Sequence, residues 1–227
     1  MTEPVKITVT SDFICPWCHI GEQRLAKAIA GLPGQVAVDL IWLPFELNPD
    51  MPAEGMDRKA YRSRKFGSWE RSRALDAGTE EAGAVDDVPF DYDAMTRTPS
   101  SLLAHRLSLL ARREDKQTAF VRAVFRAYFA EGGDIGDPGL LAVIAAEVGL
   151  EGSAVERLLA SDELGLEVRA LEHFAADRGV RGVPFFEIGG RVLEGAQPVE
   201  VLRDAILAAA RAADPSAAAI RKEQSDD

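Results

Sequence analysis

Cysteine is scarce in this 227-residue chain, with only Cys15 and Cys18 present. Two cysteines cannot build the disulfide framework of a small secreted domain, and a close pair in a reducing compartment points to catalysis or metal binding. Histidine is scarce too: His19, His105 and His173 are the three available. A structural zinc site wants four ligands and usually a second cysteine pair, so no metal is expected. Positive charge is in deficit, 26 Lys and Arg against 37 Asp and Glu for a net charge of −11. That balance argues against nucleic acid, whose phosphates need clustered cations. No apolar run approaches the roughly 18 residues of a membrane span. The start, Met1-Thr2-Glu3-Pro4-Val5-Lys6, lacks the basic and apolar regions of a secretory signal. The expected location is the cytoplasm.

Apolar residues make up 47% of the chain, ample for a core without staples. Val5-Lys6-Ile7-Thr8-Val9-Thr10 alternates and is β-branched, which predicts a strand. From Pro16, the residues Ile20, Leu25, Ala28 and Ile29 recur at helical spacing until Gly31 and Pro33. Alternation returns at Val36, Val38, Leu40 and Trp42, ended by Pro44. A strand–helix–strand unit makes its two strands parallel. Residues 57–178 then read as helix after helix, with Phe120, Val124, Ala127 and Tyr128 sharing one face and Leu140, Ile144 and Val148 another. Val183 to Ile188 and Arg191 to Glu194 flank Gly189-Gly190 as a hairpin. An Ala-rich helix follows from Val199 to Ala213. The expected fold is α/β, β-α-β then β-β-α around a four-stranded mixed sheet. Residues 1–56 and 179–213 form this discontinuous domain, 57–178 an all-helical insertion, and 214–227 a polar C-terminal tail.

Cys15-Pro16-Trp17-Cys18 opens the first helix. Residues three apart on a helical turn bring Cα atoms to about 5 Å, within disulfide range. Pro16 suits the first helical position, where an N–H would have no partner. The unpaired first-turn N–H groups and the helix dipole favour a thiolate at Cys15, and such settings give thiol pKa values of roughly 3.5–7. Cys18 lies deeper in the helix and is the expected resolving thiol. The literal C-x-x-C-H string running to His19 also matches covalent haem attachment. That chemistry normally follows export and leaves the strand–helix–strand unit unexplained.

The ordered set of motifs resembles the DsbA family, and within it a FrnE-like cytoplasmic branch. The matching stretches are Ser11-Asp12-Phe13-Ile14-Cys15-Pro16-Trp17-Cys18 and Pro44-Phe45-Glu46-Leu47-Asn48-Pro49-Asp50-Met51-Pro52, then Ala104-His105-Arg106-Leu107, Ala127-Tyr128-Phe129, Gly182-Val183-Pro184 and Gly195-Ala196-Gln197. The resemblance implies a thioredoxin-like fold and dithiol–disulfide exchange with protein or small-molecule thiols. Cys15 and Cys18 would be catalytic. Val183-Pro184 would form a cis bond beside them, offering backbone to a substrate strand with Trp17 exposed nearby. No cofactor is implied, with glutathione a candidate redox partner. The related kappa-class glutathione transferases and 2-hydroxychromene-2-carboxylate isomerases suggest a glutathione-dependent isomerase or transferase as the alternative. The kappa-class enzymes generally carry Ser where Cys15 stands, and the intact pair favours redox exchange. A cysteine-independent chaperone using the helical block is the third reading.

His19 stands where relatives often carry an aromatic. Sharing the helix face of Cys15, it is a candidate for tuning the thiolate, against an exposed histidine of no role. His105 reads as a hydrogen-bonded residue of the helical block. Phe13, Trp17, Phe45 and Phe185 form a candidate apolar collar around the cysteines, although core packing alone accounts for Phe45 and Phe185, so that only Trp17 is expected to be exposed at the site. Arg58, Lys59, Arg62, Arg64, Lys65, Arg71 and Arg73 read as a solvated helix face that also admits an anionic substrate or glutathione.

Overall fold

The computed structural model describes residues 3–213. The C-terminal tail expected over 214–227 lies outside the described residues.

Strand β1 (Val5–Ser11) buries Val5, Ile7 and Val9 in alternation. Helix α1 (Pro16–Ala30) follows, with Pro16 at its start and Gly31 as its C-cap. Strand β2 (Val38–Pro44) returns parallel to β1, in register from Val5 opposite Val38 to Ser11 opposite Pro44. It starts and ends two residues later than its alternation predicts. Pro44 itself is the last strand residue, because a proline without an N–H is tolerated at an edge.

Residues between β2 and Val183 hold seven helices: α2 (Arg58–Phe66), α3 (Trp69–Ala84), α4 (Leu102–Arg113), α5 (Gln117–Phe125), α6 (Pro138–Glu147), α7 (Gly152–Leu159) and α8 (Gly165–Asp177). The segment is not purely helical. Strands β3 (Met56–Asp57) and β4 (Arg97–Thr98) form a two-residue antiparallel pair that clips the start of α2 to the approach of α4. This clip stands apart from the central sheet. After α5 the chain widens into a π-helical turn over Arg126–Ala130. That extra residue per turn shifts the register, so that Ala127, Tyr128 and Phe129 are all buried.

The hairpin strands β5 (Phe185–Ile188) and β6 (Arg191–Glu194) complete the sheet in the order β2-β1-β5-β6. Gly189 and Gly190 both take positive φ, 55° and 84°, which a two-residue hairpin turn of this hand requires. Helix α9 (Val199–Ala213) packs with α1 against the sheet. One apolar core runs from Ile7, Val9 and Phe186 through Phe125 and Leu107 to Leu158. Sheet and helical block therefore share their interior.

The open edge of β2 is closed by a side chain. Gln117 of α5 accepts a hydrogen bond from the Trp42 N–H (3.0 Å) and donates to the Trp42 carbonyl (2.9 Å). An amide thus supplies the donor and acceptor that a fifth strand would have supplied.

Candidate active site

The cysteine pair sits where three elements end together. The parallel register brings the end of β1 beside Pro44, and antiparallel pairing sets Thr10 opposite Phe185. The loop before β5 therefore emerges at the head of α1. Cys15 is the N-cap of α1, in extended conformation, and its N–H donates to the Asp12 carbonyl at 3.1 Å. The Val183–Pro184 bond is cis. Cys15 Sγ donates to the Val183 carbonyl at 3.6 Å, so the loop faces the cysteine as the resemblance implies.

Both cysteines are free and buried, Cys15 at 5% and Cys18 at 1% exposure. Only Cys15 of the two lines the adjoining cleft. Burial pushes the Cys18 thiol well above its usual pKa, and the hydrogen bond and charge of neighbouring Cys15 push the same way. The Ser11 hydroxyl and the Asp12 backbone act against that shift. Cys18 is thus held as a protonated thiol next to Cys15.

The cleft has a volume of about 500 Å3 and runs from Cys15, Pro16 and Trp17 to the α2–α3 hairpin, within the range of small-molecule sites. Trp17 is 43% exposed at its rim. Burial raises the phenols of Tyr92 and Tyr128 on its far wall, keeping them neutral. Two residues of the basic cluster turn out to face inward. Arg58 is buried and Arg62 half-buried, both paired to Asp76 of α3 at 2.8 and 2.6 Å. Arg58 also lies over the rings of Trp69 and Tyr92. Lys65 bonds the neutral acceptors Asn48 Oδ1 and Tyr61 Oη, each at 2.9 Å. The cleft therefore carries three cations against the carboxylate of Asp76, on a protein of net charge −11. Lys59, Arg64, Arg71 and Arg73 remain exposed, as a solvated face predicts.

Two expectations need correction. His19 is neither exposed nor placed to tune a thiolate. It is 3% exposed, with Phe90, Phe125 and Phe129 at ring-centroid distances of 5.4 Å. Burial lowers its pKa to about 4, offset only in part by the nearby Pro89 carbonyl, which is not in hydrogen-bonding geometry with either ring nitrogen. A neutral imidazole offers Cys15 no positive charge. The apolar collar does not assemble as a ring either, although Trp17 is exposed at the site as expected. Trp17 alone of its four members lines the cleft, while Phe45 and Phe185 pack with Ala175 and Val180 in a separate cluster and Phe13 packs at a tilt against His105.

A buried polar cluster behind the cysteines escaped the sequence. The Asp12 carboxylate accepts from the Leu47 N–H (2.7 Å) and the Ile14 N–H (3.4 Å), and faces His105 Nε2 at 3.4 Å. Glu46 is paired with Arg169 at 2.5 Å. Its pKa is raised to about 7 by burial and by Glu172, with His105 and Arg169 opposing. Asp12 and His105 lie in stretches that carried the resemblance, but 93 positions separate them, and nothing local announces their meeting.

Residues 6–207 match the DSBA-like thioredoxin domain family. The chain belongs to this family. The uncharacterized protein YwbO of Bacillus subtilis (strain 168) is 30% identical over 203 residues, 89% of this chain and 96% of that one. A probable DsbA oxidoreductase from Streptomyces coelicolor is 30% identical, with a TM-score of 0.80 over 90% of this chain and 89% of its own. The cytosolic disulfide reductase DsbM from Pseudomonas aeruginosa, determined with GSH, shares the fold at 21% identity and a TM-score of 0.62, over 88% of this chain and 96% of its own. The chain is therefore a DsbA-like protein of thioredoxin fold, a redox family acting on thiol and disulfide substrates. No described helix is long and apolar enough to cross a membrane.

Proposed function

We propose that this protein catalyses thiol–disulfide exchange, with Cys15 as the attacking sulfur and Cys18 as the resolving one. The carrying observation is the asymmetry of the pair: Cys15 heads α1, lines the cleft and faces the Val183 carbonyl, while Cys18 lies behind it as a buried thiol. A substrate disulfide enters the cleft and Cys15 displaces one of its sulfurs, forming a mixed disulfide. Cys18 then attacks Cys15, the Cys15–substrate bond breaks, and the enzyme disulfide forms as the second substrate thiol leaves. The reverse sequence oxidises a dithiol.

Val183 and Pro184 border the position of the mixed disulfide, and the Val183 backbone is the contact for an extended substrate segment. Trp17 provides an apolar rim. Glutathione is proposed as a redox partner, with Arg62 and Lys65 meeting its carboxylates. The GSH bound to DsbM, a protein of the same fold, supports this reading.

Mass spectrometry after treatment with limiting glutathione disulfide tests the roles. Cys18→Ala should accumulate a one-glutathione adduct at Cys15, and Cys15→Ser should lose disulfide reductase activity. An adduct mapping to Cys18 in the wild type would reverse the assignment.

A further inference from the structure

Tyr128 carries a hydroxyl that the fold does not use. The residue is 4% exposed, and a buried phenol ordinarily finds a hydrogen-bond partner inside the protein. Its neighbour Tyr92 does, since that hydroxyl pairs with Thr79 Oγ1 at 2.6 Å. The Tyr128 hydroxyl bonds no described residue. What acts on it is burial, which raises the phenol and keeps it neutral, together with the charges of Arg58, Arg62 and Asp12. Among the described residues, the side-chain polar atoms sealed from solvent without a partner belong to His19, Glu22, Asn48 and His105. The Tyr128 oxygen is therefore not sealed in, and it opens onto the cleft that the residue lines with Cys15. The backbone is shaped for this. Tyr128 is the middle residue of the π-helical turn Arg126–Ala130, a widening that often marks a functional position. Its ring packs edge-on against Phe129 with centroids 4.8 Å apart.

We propose that the Tyr128 hydroxyl donates a hydrogen bond to a carbonyl or carboxylate oxygen of the substrate, and so selects cysteinyl thiols and disulfides over those without such an oxygen. This rests on the reading of the cleft as the exchange site, and adds the residue that discriminates among substrates. The other acceptors along the cleft are taken. Asp76 holds Arg58 and Arg62, and Asn48 Oδ1 holds Tyr61 and Lys65. The partner that completes Tyr128 comes from the ligand. A neutral phenol keeps its proton, and beside two guanidinium groups it favours an acceptor bearing negative or partial negative charge. In a cysteinyl compound such an oxygen stands on the carbon next to Cα, a short reach from the sulfur that Cys15 engages. A disulfide without it leaves a buried donor unpaired once it fills the cleft, which is how a site built for a hydrogen bond rejects an analogue.

The test compares two disulfides that differ in this oxygen. Reduced full-length protein is mixed with excess glutathione disulfide or excess 2-hydroxyethyl disulfide, and the loss of protein thiol is followed. Tyr128→Phe should lower the ratio of the first rate to the second by about tenfold, the loss expected for one hydrogen bond to a polar ligand. S-methylglutathione, which has no thiol to exchange, should bind the variant more weakly by a similar factor in calorimetry. The urea midpoint of Tyr128→Phe should stay at the wild-type value, whereas Tyr92→Phe, which forfeits the Thr79 bond, should lower it. A merely structural hydroxyl would move the midpoint and leave the ratio in place. An unchanged ratio with unchanged S-methylglutathione affinity would overturn the assignment of Tyr128. So would a Tyr128→Phe protein that fails to fold or loses as much stability as Tyr92→Phe. A wild type that reacts with neither disulfide would instead sink the exchange reading, and S-methylglutathione affinity would still decide the role of Tyr128.

Discussion

Gly21 of α1 is in close contact with Pro184. A Cβ added at Gly21 would stand 3.0 Å from Pro184 Cγ and 3.2 Å from Phe186 Cζ. The helix carrying the cysteines and the loop facing Cys15 thus approach so closely that a Cβ at this position would be tightly packed. Gly21→Ala gains helix propensity but must push the proline ring outward by a few tenths of an ångström. Overpacking of this kind costs about 1–3 kcal/mol. The expected outcome is a lower urea midpoint together with a larger fall in disulfide turnover than Gly165→Ala gives, since Gly165 of α8 lies outside the cleft and nothing lies within 4 Å of a Cβ there. Equal turnover in the two variants would show that loop position does not matter.

Asp76 compensates two guanidinium groups at once, Arg58 and Arg62. Arg58 is the deeper of the two, its side chain 4% exposed. Asp76→Asn leaves that charge without its counter-ion, and breaking a buried pair from one side costs about 3–5 kcal/mol. The double change Arg58→Met with Asp76→Asn should recover part of this loss, because it removes the stranded charge too. Chemical denaturation of both variants checks the order, which is wild type, then double, then single variant in falling stability.

The chain announced its redox pair, its β-α-β start and its closing hairpin because each is written in a short window. Cys15 and Cys18 lie on one helical turn, and Gly189-Gly190 is the turn that the hairpin needs. The cleft was hidden for the opposite reason. Whether Arg58 is solvated or buried depends on Asp76 lying 18 positions on in another helix, and helical periodicity does not encode which face a later helix will cover. His19 was misread because its surroundings, Phe90, Phe125 and Phe129, come from far along the chain. The widened turn at Arg126–Ala130, which follows Phe125 and contains Phe129, breaks the very period by which helices are recognised.

Gln117 gives the clearest case of a polar side chain whose removal exposes strand edge to no partner. It satisfies both backbone groups of Trp42 and donates a further hydrogen bond to Ser108 Oγ at 3.2 Å. Gln117→Leu keeps the approximate volume but leaves a buried N–H and C=O unpaired, at about 1–3 kcal/mol each. Gln117→Glu retains the acceptor for the Trp42 N–H and sets a carboxylate against the Trp42 carbonyl. Both variants should be strongly destabilised. Hydrogen exchange should show the loss at the Trp42 amide first, while amides of β5 keep their protection until global unfolding.

His19 makes the protein sensitive to acid in a window that follows from its burial. Its folded pKa is about 4 against an ordinary value of 6.5. The unfolded chain therefore takes up this proton near pH 6.5, and the folded protein only near pH 4. Between those values the unfolded state binds more protons, so stability falls as the pH falls. Below pH 4 both states are protonated and this group's influence levels off. The full difference is about 3 kcal/mol, at 1.36 kcal/mol per pKa unit. Glu46 works in the other direction, because its folded pKa is raised to about 7. Its protonated form is favoured in the folded state, so its share of stability is present at low pH and declines as pH rises through that value. Whole-protein curves therefore mix the two. The difference between wild type and His19→Phe isolates the imidazole, and phenylalanine keeps a ring among Phe90, Phe125 and Phe129. At pH 7.5 the variant should be at least as stable as wild type, because both ring nitrogens of His19 are buried without a hydrogen bond to any described residue. Its advantage should then widen by about 2–3 kcal/mol on going to pH 4.5 in urea denaturation. An advantage that stays constant with pH would mean that His19 is solvated and titrates alike in both states.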